Sequence, residues 1–207
     1  TTLFRSVDRV FVVPDPRSMD TFECSNVRMQ VSCGEQRRFL LIGTLAPSKG
    51  IELAIKAFED LLKTIPDAKL VVAGRPCSDQ YGGTIEDFCR RLPVDSYELV
   101  LRQLGHEEYA DQIRNADFGL LPYEGDVGSR SSGVLWDMLS MGKYVIMSSV
   151  PGFQDIHSTY GIGLVFETGN SSSLTDAMIS AIVSNDWVAE HNAGLERLRE
   201  FYSYSAA

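Results

Sequence analysis

Residues 116–149, ADFGLLPYEGDVGSRSSGVLWDMLSMGKYVIMSS, constrain the fold more than any other stretch. They read as strand, loop, helix, strand. Phe118 to Leu121 form a short apolar run that stops at Pro122. Residues 125–133 are small, polar and charged, too rich in Gly and Ser to continue either element. Apolar residues at 134, 135, 138, 139 and 141 have helical spacing, and Gly142 follows as a stop. Tyr144 to Met147 form the next apolar run. Two strands joined through a helix pair in parallel, because the crossover returns the chain to the same edge.

The loop carries the chemistry. Ser131, Ser132 and Gly133 lead into the helix, where the first backbone N–H groups have no intrahelical acceptor. Those donors and the positive end of the helix dipole suit a phosphate. Gly133 permits close approach, Arg130 adds a cation, and Asp137 lies one turn further on, placed to accept a sugar hydroxyl. The same residues also fit a plain capped helix with Ser132 as N-cap and Asp137 in solvent.

The rest of the chain repeats the alternation. The continuous apolar run at 39–42 reads as a strand buried on both faces, and 70–73, 97–101 and 164–166 read as further strands. Helical patterns occupy 51–65, 85–92, 106–115 and 174–183, with 75–83 a polar loop between. Ile51, Ala54, Ile55, Phe58, Leu61, Leu62 and Ile65 make one stripe. Trp187, His191, Leu195, Leu198 and Tyr202 make another on a final helix. Upstream, RVFVV at 9–13 is a short strand and 14–37 an irregular connector. This order predicts an α/β fold with a doubly wound parallel sheet. Loops 43–50, 74–83, 102–106 and 122–133 each follow a strand and so share one edge, where ligands of such sheets bind. Lys49 and Arg130 then stand near one crevice in a chain of net charge −9, an arrangement that favours an anionic ligand.

The acidic balance, without a Lys/Arg run, disfavours nucleic acid. No apolar run approaches the roughly 20 residues of a membrane span. Cys24, Cys33, Cys77 and Cys89 form no CxxC pair and lie far from the three histidines. They read as reduced thiols in a cytoplasmic protein rather than zinc ligands. Starting on Thr1 without a signal peptide, the chain reads as a piece of a longer protein.

Several stretches, in order, resemble one family. FLLIGTLAPSKGIELAIKAF is similar to the glycine–loop–Lys-Gly–helix segment of the nucleotide-binding half of GT-B glycosyltransferases. LVVAG resembles the next strand, and ADFGLLPY followed by SSGVLWDMLSMGKYVI resembles the signature around the donor site. PGFQDI and GIGLVFETGNSSSLTDAM match later segments. The resemblance spans about residues 39–185 and points to the retaining enzymes of glycosyltransferase family four. It implies a Rossmann-like C-terminal domain at 38–185, preceded by the end of another domain and a connector at 1–37. A helix at 186–207 would cross back to the absent N-terminal, acceptor-binding domain. Peripheral membrane association would come through that domain.

The resemblance also implies residue roles. Lys49 holds the diphosphate, and Arg130 is read as replacing the family Arg that is Thr44 here, which makes Lys49 and Arg130 the catalytic cations. Ser132, Gly133 and Val134 supply N–H donors. Asp137 stands where a Glu usually binds ribose hydroxyls. Gly43 and Thr44 line the loop after the first strand. The base lies against the loop containing Arg102 and Leu104. The partner is a nucleoside-diphosphate sugar, with no cofactor and no metal; Glu124-Gly125-Asp126 reads as a solvated loop. Two departures stand out: Thr44 replaces the family's Arg, and Ser129 aligns with its first motif Glu. They keep open a non-catalytic binding module as an alternative, and a sugar-nucleotide epimerase is a second. The stripe on the last helix is expected to lie partly on a docking surface.

Overall fold

The computed structural model describes residues 36–125, 132–184 and 186–205, with side chains to 200. The strand at 9–13, the connector up to residue 35, Ser129, Arg130 and Ser131 therefore lie outside the described residues.

Six parallel strands form one sheet: β1 (Arg38–Ile42), β2 (Lys69–Ala73), β3 (Tyr97–Val100), β4 (Phe118–Leu121), β5 (Tyr144–Ser148) and β6 (Leu164–Phe166). Their order is β3-β2-β1-β4-β5-β6, so the chain winds outward from β1 in one direction and then from β4 in the other. The helices between them are α1 (Ile51–Leu61), α2 (Asp79–Cys89), α3 (His106–Asn115), α4 (Gly133–Ser140), α5 (Pro151–Tyr160) and α6 (Ser171–Val183), and α7 (Asp186–Ser205) ends the chain. The doubly wound α/β architecture expected from the alternation is the one observed.

Strand pleating explains why these runs are apolar throughout. Phe39 and Leu41 of β1, Leu70 and Val72 of β2, and Phe118 and Leu120 of β4 point to one face, covered by α1, α2 and α6. Leu40, Ile42, Val71, Ala73 and Leu121 point to the other, covered by α3, α4 and α5. Ile51, Ala54, Ile55, Phe58 and Leu61 are all buried, as the stripe on α1 predicted. Each such side chain contributes roughly 1.5–3 kcal/mol of burial.

Three local expectations need correction, and a fourth is narrowed. Helix α1 ends at Leu61 and continues only as turns to residue 64 before Pro66. Helix α2 starts at Asp79, six residues before the first periodic apolar position at Ile85, because the Ser78 side chain caps it by accepting from the Tyr81 N–H. Helix α5 was not foreseen; Pro151 occupies its first turn, where the missing N–H costs nothing. The stripe of α7 packs mostly on this chain's own core: Leu195 and Leu198 are buried in the α3–α5 core, and half-buried Trp187 packs against Phe118 and Tyr144. Its ring lies 3.8 Å from that of Tyr144, and its indole N–H donates to the Ala181 carbonyl. The start of α7 therefore finishes this chain's own core.

Among the described residues no helix is long and apolar enough to cross a membrane. Cys77 and Cys89 are free thiols; burial pushes Cys89 up to about 12.

Candidate functional site at the switch point

The sheet reverses its winding between β1 and β4, which opens a crevice at the carboxyl ends of those strands. The loops after β1 and β4 line it and meet backbone to backbone. Gly50, in the left-handed region at φ 63°, is the N-cap of α1; a Cβ there would lie 1.8 Å from the Pro122 carbonyl oxygen. Only glycine allows that approach. Gly43 leaves β1 at φ 111°, and a Cβ on it would lie 3.0 Å from a Val134 methyl. The first turn of α4 thus sits directly over the exit of β1.

Lys49 ends a 3-10 turn begun by Pro47, which turns the lysine back toward β4. Its Nζ lies 3.6 Å from the ring centroid of Tyr123. The Tyr123 hydroxyl pairs with Ser132 Oγ at 2.8 Å, and Ser132 Oγ accepts from the Leu135 N–H, which makes Ser132 the N-cap of α4. That cap satisfies one of the orphan donors. The Gly133 and Val134 N–H groups, at the first two positions of α4, have no acceptor among the described residues. Gly43, Lys49, Ser132, Gly133 and Val134 thus stand at the facing loops after β1 and β4.

Asp137 lies one turn into α4 and is half-buried. The Tyr109 hydroxyl, from the first turn of α3, donates to its Oδ2 at 2.8 Å. Burial pushes the Asp137 carboxyl above the usual carboxylate range, while that hydrogen bond and the charge of His106 pull it back. Burial and the adjacent carboxylate together push the Tyr109 hydroxyl upward, so it stays a donor. Asp137 is therefore held in orientation rather than left in solvent.

The remaining predicted residues stand further along the edge. Thr44 is exposed. Arg102 is exposed and paired with Glu108 through both guanidinium nitrogens. Leu104 is half-buried and packs, like Tyr109 and Val134, against the α3–α5 core. Residues 101–103, Arg75 and the start of α2 with its cap Ser78 line a cleft of about 430 Å³. Arg130 falls outside the described residues. No group of three or more His, Cys, Asp or Glu side chains able to hold a metal occurs among the described residues.

Two residues of the site escaped sequence reasoning. Tyr123 follows Pro122 directly, and its position after a strand on the ligand edge was the available signal. Tyr109 had none, because nothing in sequence ties the first turn of α3 to the second turn of α4.

The model of the family described as glycosyl transferases group 1 matches residues 36–184. A phosphatidyl-myo-inositol mannosyltransferase from Mycobacterium leprae (strain TN) is 26% identical over 162 residues, which are 75% of this chain and 40% of that protein. The chain thus spans two fifths of that relative's length. An α,α-trehalose-phosphate synthase (UDP-forming) from Burkholderia vietnamiensis superposes with a TM-score of 0.67 at 17% identity, over 81% of this chain and 41% of that one. The C-terminal domain of a glycosyl transferase group 1 family protein (LpcC) from Francisella tularensis gives 0.67 at 15% identity, over 91% of this chain and 94% of that one. The chain belongs to the glycosyl transferases group 1 family, and its fold is that of the C-terminal, Rossmann-like half of a GT-B glycosyltransferase.

Proposed function

We propose that this chain is the donor-binding part of a retaining glycosyltransferase and holds a nucleoside-diphosphate sugar at the β1/β4 switch point. The observation that supports it most is that Tyr123 links Lys49 to the N-cap Ser132 of α4, whose Gly133 and Val134 N–H groups have no acceptor among the described residues, in a group 1 chain. The diphosphate lies on those amides beside Lys49, with Arg130 as a second cation. Asp137 accepts from the ribose hydroxyls. The base rests against the loop of Arg102 and Leu104, at the cleft beside α2.

When the bond from the sugar to the diphosphate breaks, its electron pair leaves on a phosphate oxygen and negative charge grows there. Preplaced donors and a cation lower the barrier because they strengthen as that charge develops. The acceptor comes from an N-terminal domain outside this chain, so the 207 residues alone transfer no sugar; proximity of donor and acceptor supplies much of such catalysis. The reading needs no metal ion, since the protein's own cations face the diphosphate. The free thiols of Cys77 and Cys89 fit a cytoplasmic setting.

A non-catalytic nucleotide-binding module is the second reading, favoured by the exposed Thr44 and the missing motif Glu at Ser129. A thermal-shift panel of nucleoside diphosphates tests what both readings share. At 100 times its dissociation constant the right one stabilises by about 2.7 kcal/mol, a rise in Tm of roughly 5–10 °C. No shift from any nucleoside diphosphate at millimolar concentration contradicts the site. Hydrolysis of the matching nucleotide sugar by the longer protein then separates the two, since a pure binding module gives none.

A further inference from the structure

Tyr123 is almost fully buried, at 5% exposure, yet its two ends do different work. Its ring is fixed between loops: Phe153 of α5 packs against it at 5.3 Å between centroids. The Lys49 ammonium stands over the ring, and the hydroxyl pairs with the N-cap Ser132. One side chain of β4's exit thus touches both the cation from the β1 loop and the cap of α4. A core aromatic needs buried neighbours and a partner for its hydroxyl; it does not need a lysine amine on its face. Lysine has four rotatable bonds and loses about 2 kcal/mol of rotamer freedom when held. A ring that attracts the ammonium through its quadrupole confines it before any ligand arrives.

We infer that Tyr123 is the positioning residue of the diphosphate site: its ring presets the Lys49 ammonium and its hydroxyl presets the first turn of α4, so that cation and amides face one anion. This rests on the donor-site reading above. Tyr123 itself touches no phosphate; it acts through Lys49 and Ser132. Because the ring and the hydroxyl serve different groups, they separate by substitution. Tyr123→Phe keeps the face and removes the hydroxyl. Tyr123→Leu removes both.

The test is calorimetry of the 207-residue chain with a nucleoside diphosphate and its parent nucleoside. Tyr123→Phe should weaken the diphosphate about threefold and Tyr123→Leu about tenfold, in line with one lost neutral hydrogen bond and one lost cation–π contact. The nucleoside should change less than twofold in both. With Lys49→Ala present, the difference between the Tyr123→Phe and Tyr123→Leu chains should vanish, because no ammonium remains for the ring to hold. A spectroscopic readout runs beside it: the Lys49 side-chain methylene protons should be ring-shifted upfield in the wild type and in Tyr123→Phe, and normal in Tyr123→Leu. Parallel losses for nucleoside and diphosphate, or a ring effect that survives Lys49→Ala, overturn the inference and leave Tyr123 as packing. If Tyr123→Leu does not fold, Tyr123→Phe decides alone, and unchanged diphosphate affinity overturns it. Diphosphate binding that depends on Lys49 but ignores both Tyr123 variants refutes only this inference. Wild-type binding that is absent or ignores Lys49 removes the donor-site reading and this inference with it.

Discussion

At the residue scale the site depends on positions where one atom decides. A Cβ on Gly50 meets the Pro122 carbonyl oxygen at 1.8 Å and must also sit at positive φ. The left-handed backbone alone costs a non-glycine residue about 1–2 kcal/mol, and the clash adds to it by prising the β1 and β4 loops apart. Gly50→Ala should therefore lower the unfolding free energy by at least that amount, read as a lower urea midpoint at unchanged slope, and weaken diphosphate binding as well. Gly83, inside α2, has ordinary helical φ, and a Cβ added there would meet nothing within 4 Å. Gly83→Ala should stabilise by about 0.5–1 kcal/mol. Opposite signs for the two substitutions in one denaturation series check the account of the crevice. Lys49, Gly43 and Ser132 were legible in sequence because each sits at a fixed offset from a strand end or helix start. Tyr109 and Tyr123 were not, because their partners are reached through space: Asp137 from α3, and Ser132 and Lys49 from either side of β4.

At the element scale, legibility followed the strength of the apolar pattern. The strands stood out because both faces of the sheet are covered, so the central strands are nearly continuous apolar runs; edge strand β3, which carries Glu98, is only half-buried. Helix α3 and strands β4 and β6 begin and end where turn residues said they would. The start of α2 is hidden in the sequence because its first five residues, DQYGG, carry two glycines and one apolar side chain. Its cap outweighs that poor propensity. Ser78→Ala should cost about 1 kcal/mol and fray the start of α2, which hydrogen exchange at the Tyr81 and Gly82 amides would report. Helix α5 hid for a similar reason: PGFQDIHSTY has few apolar residues, and only Phe153 and Ile156 are buried. The α7 stripe was seen, but its destination was not. Periodicity tells which face is apolar and says nothing of whether that face meets this chain or another.

At the scale of the whole molecule, α7 ties the end of the chain to the sheet through His191. This imidazole is 1% exposed, takes the Gly163 N–H on Nδ1 and packs edge-on to Tyr144. Burial pulls it from 6.5 down to about 4. The folded state therefore favours neutral His191, while the unfolded chain binds a proton below pH 6.5. The stability it contributes is complete above pH 6.5 and is lost as the pH falls from there to about 4, by up to roughly 3 kcal/mol at 1.36 kcal/mol per pH unit. Urea unfolding from pH 7 to 4 should show that loss in the wild type, and a His191→Gln chain should show less of it; identical slopes would mean another group titrates.

The central claim is that phosphate and ribose are held by different elements of one crevice: Lys49 with the α4 amides for the first, Asp137 for the second. Calorimetry of a nucleoside diphosphate and its nucleoside against Lys49→Ala and Asp137→Ala reads it most directly. A hydrogen bond to a charged group contributes about 1.5–3 kcal/mol. Lys49→Ala should thus weaken the diphosphate roughly 10- to 150-fold and leave the nucleoside unchanged, while Asp137→Ala should weaken both alike. Equal losses of the two ligands in Lys49→Ala, or unchanged binding in both variants, would contradict the account.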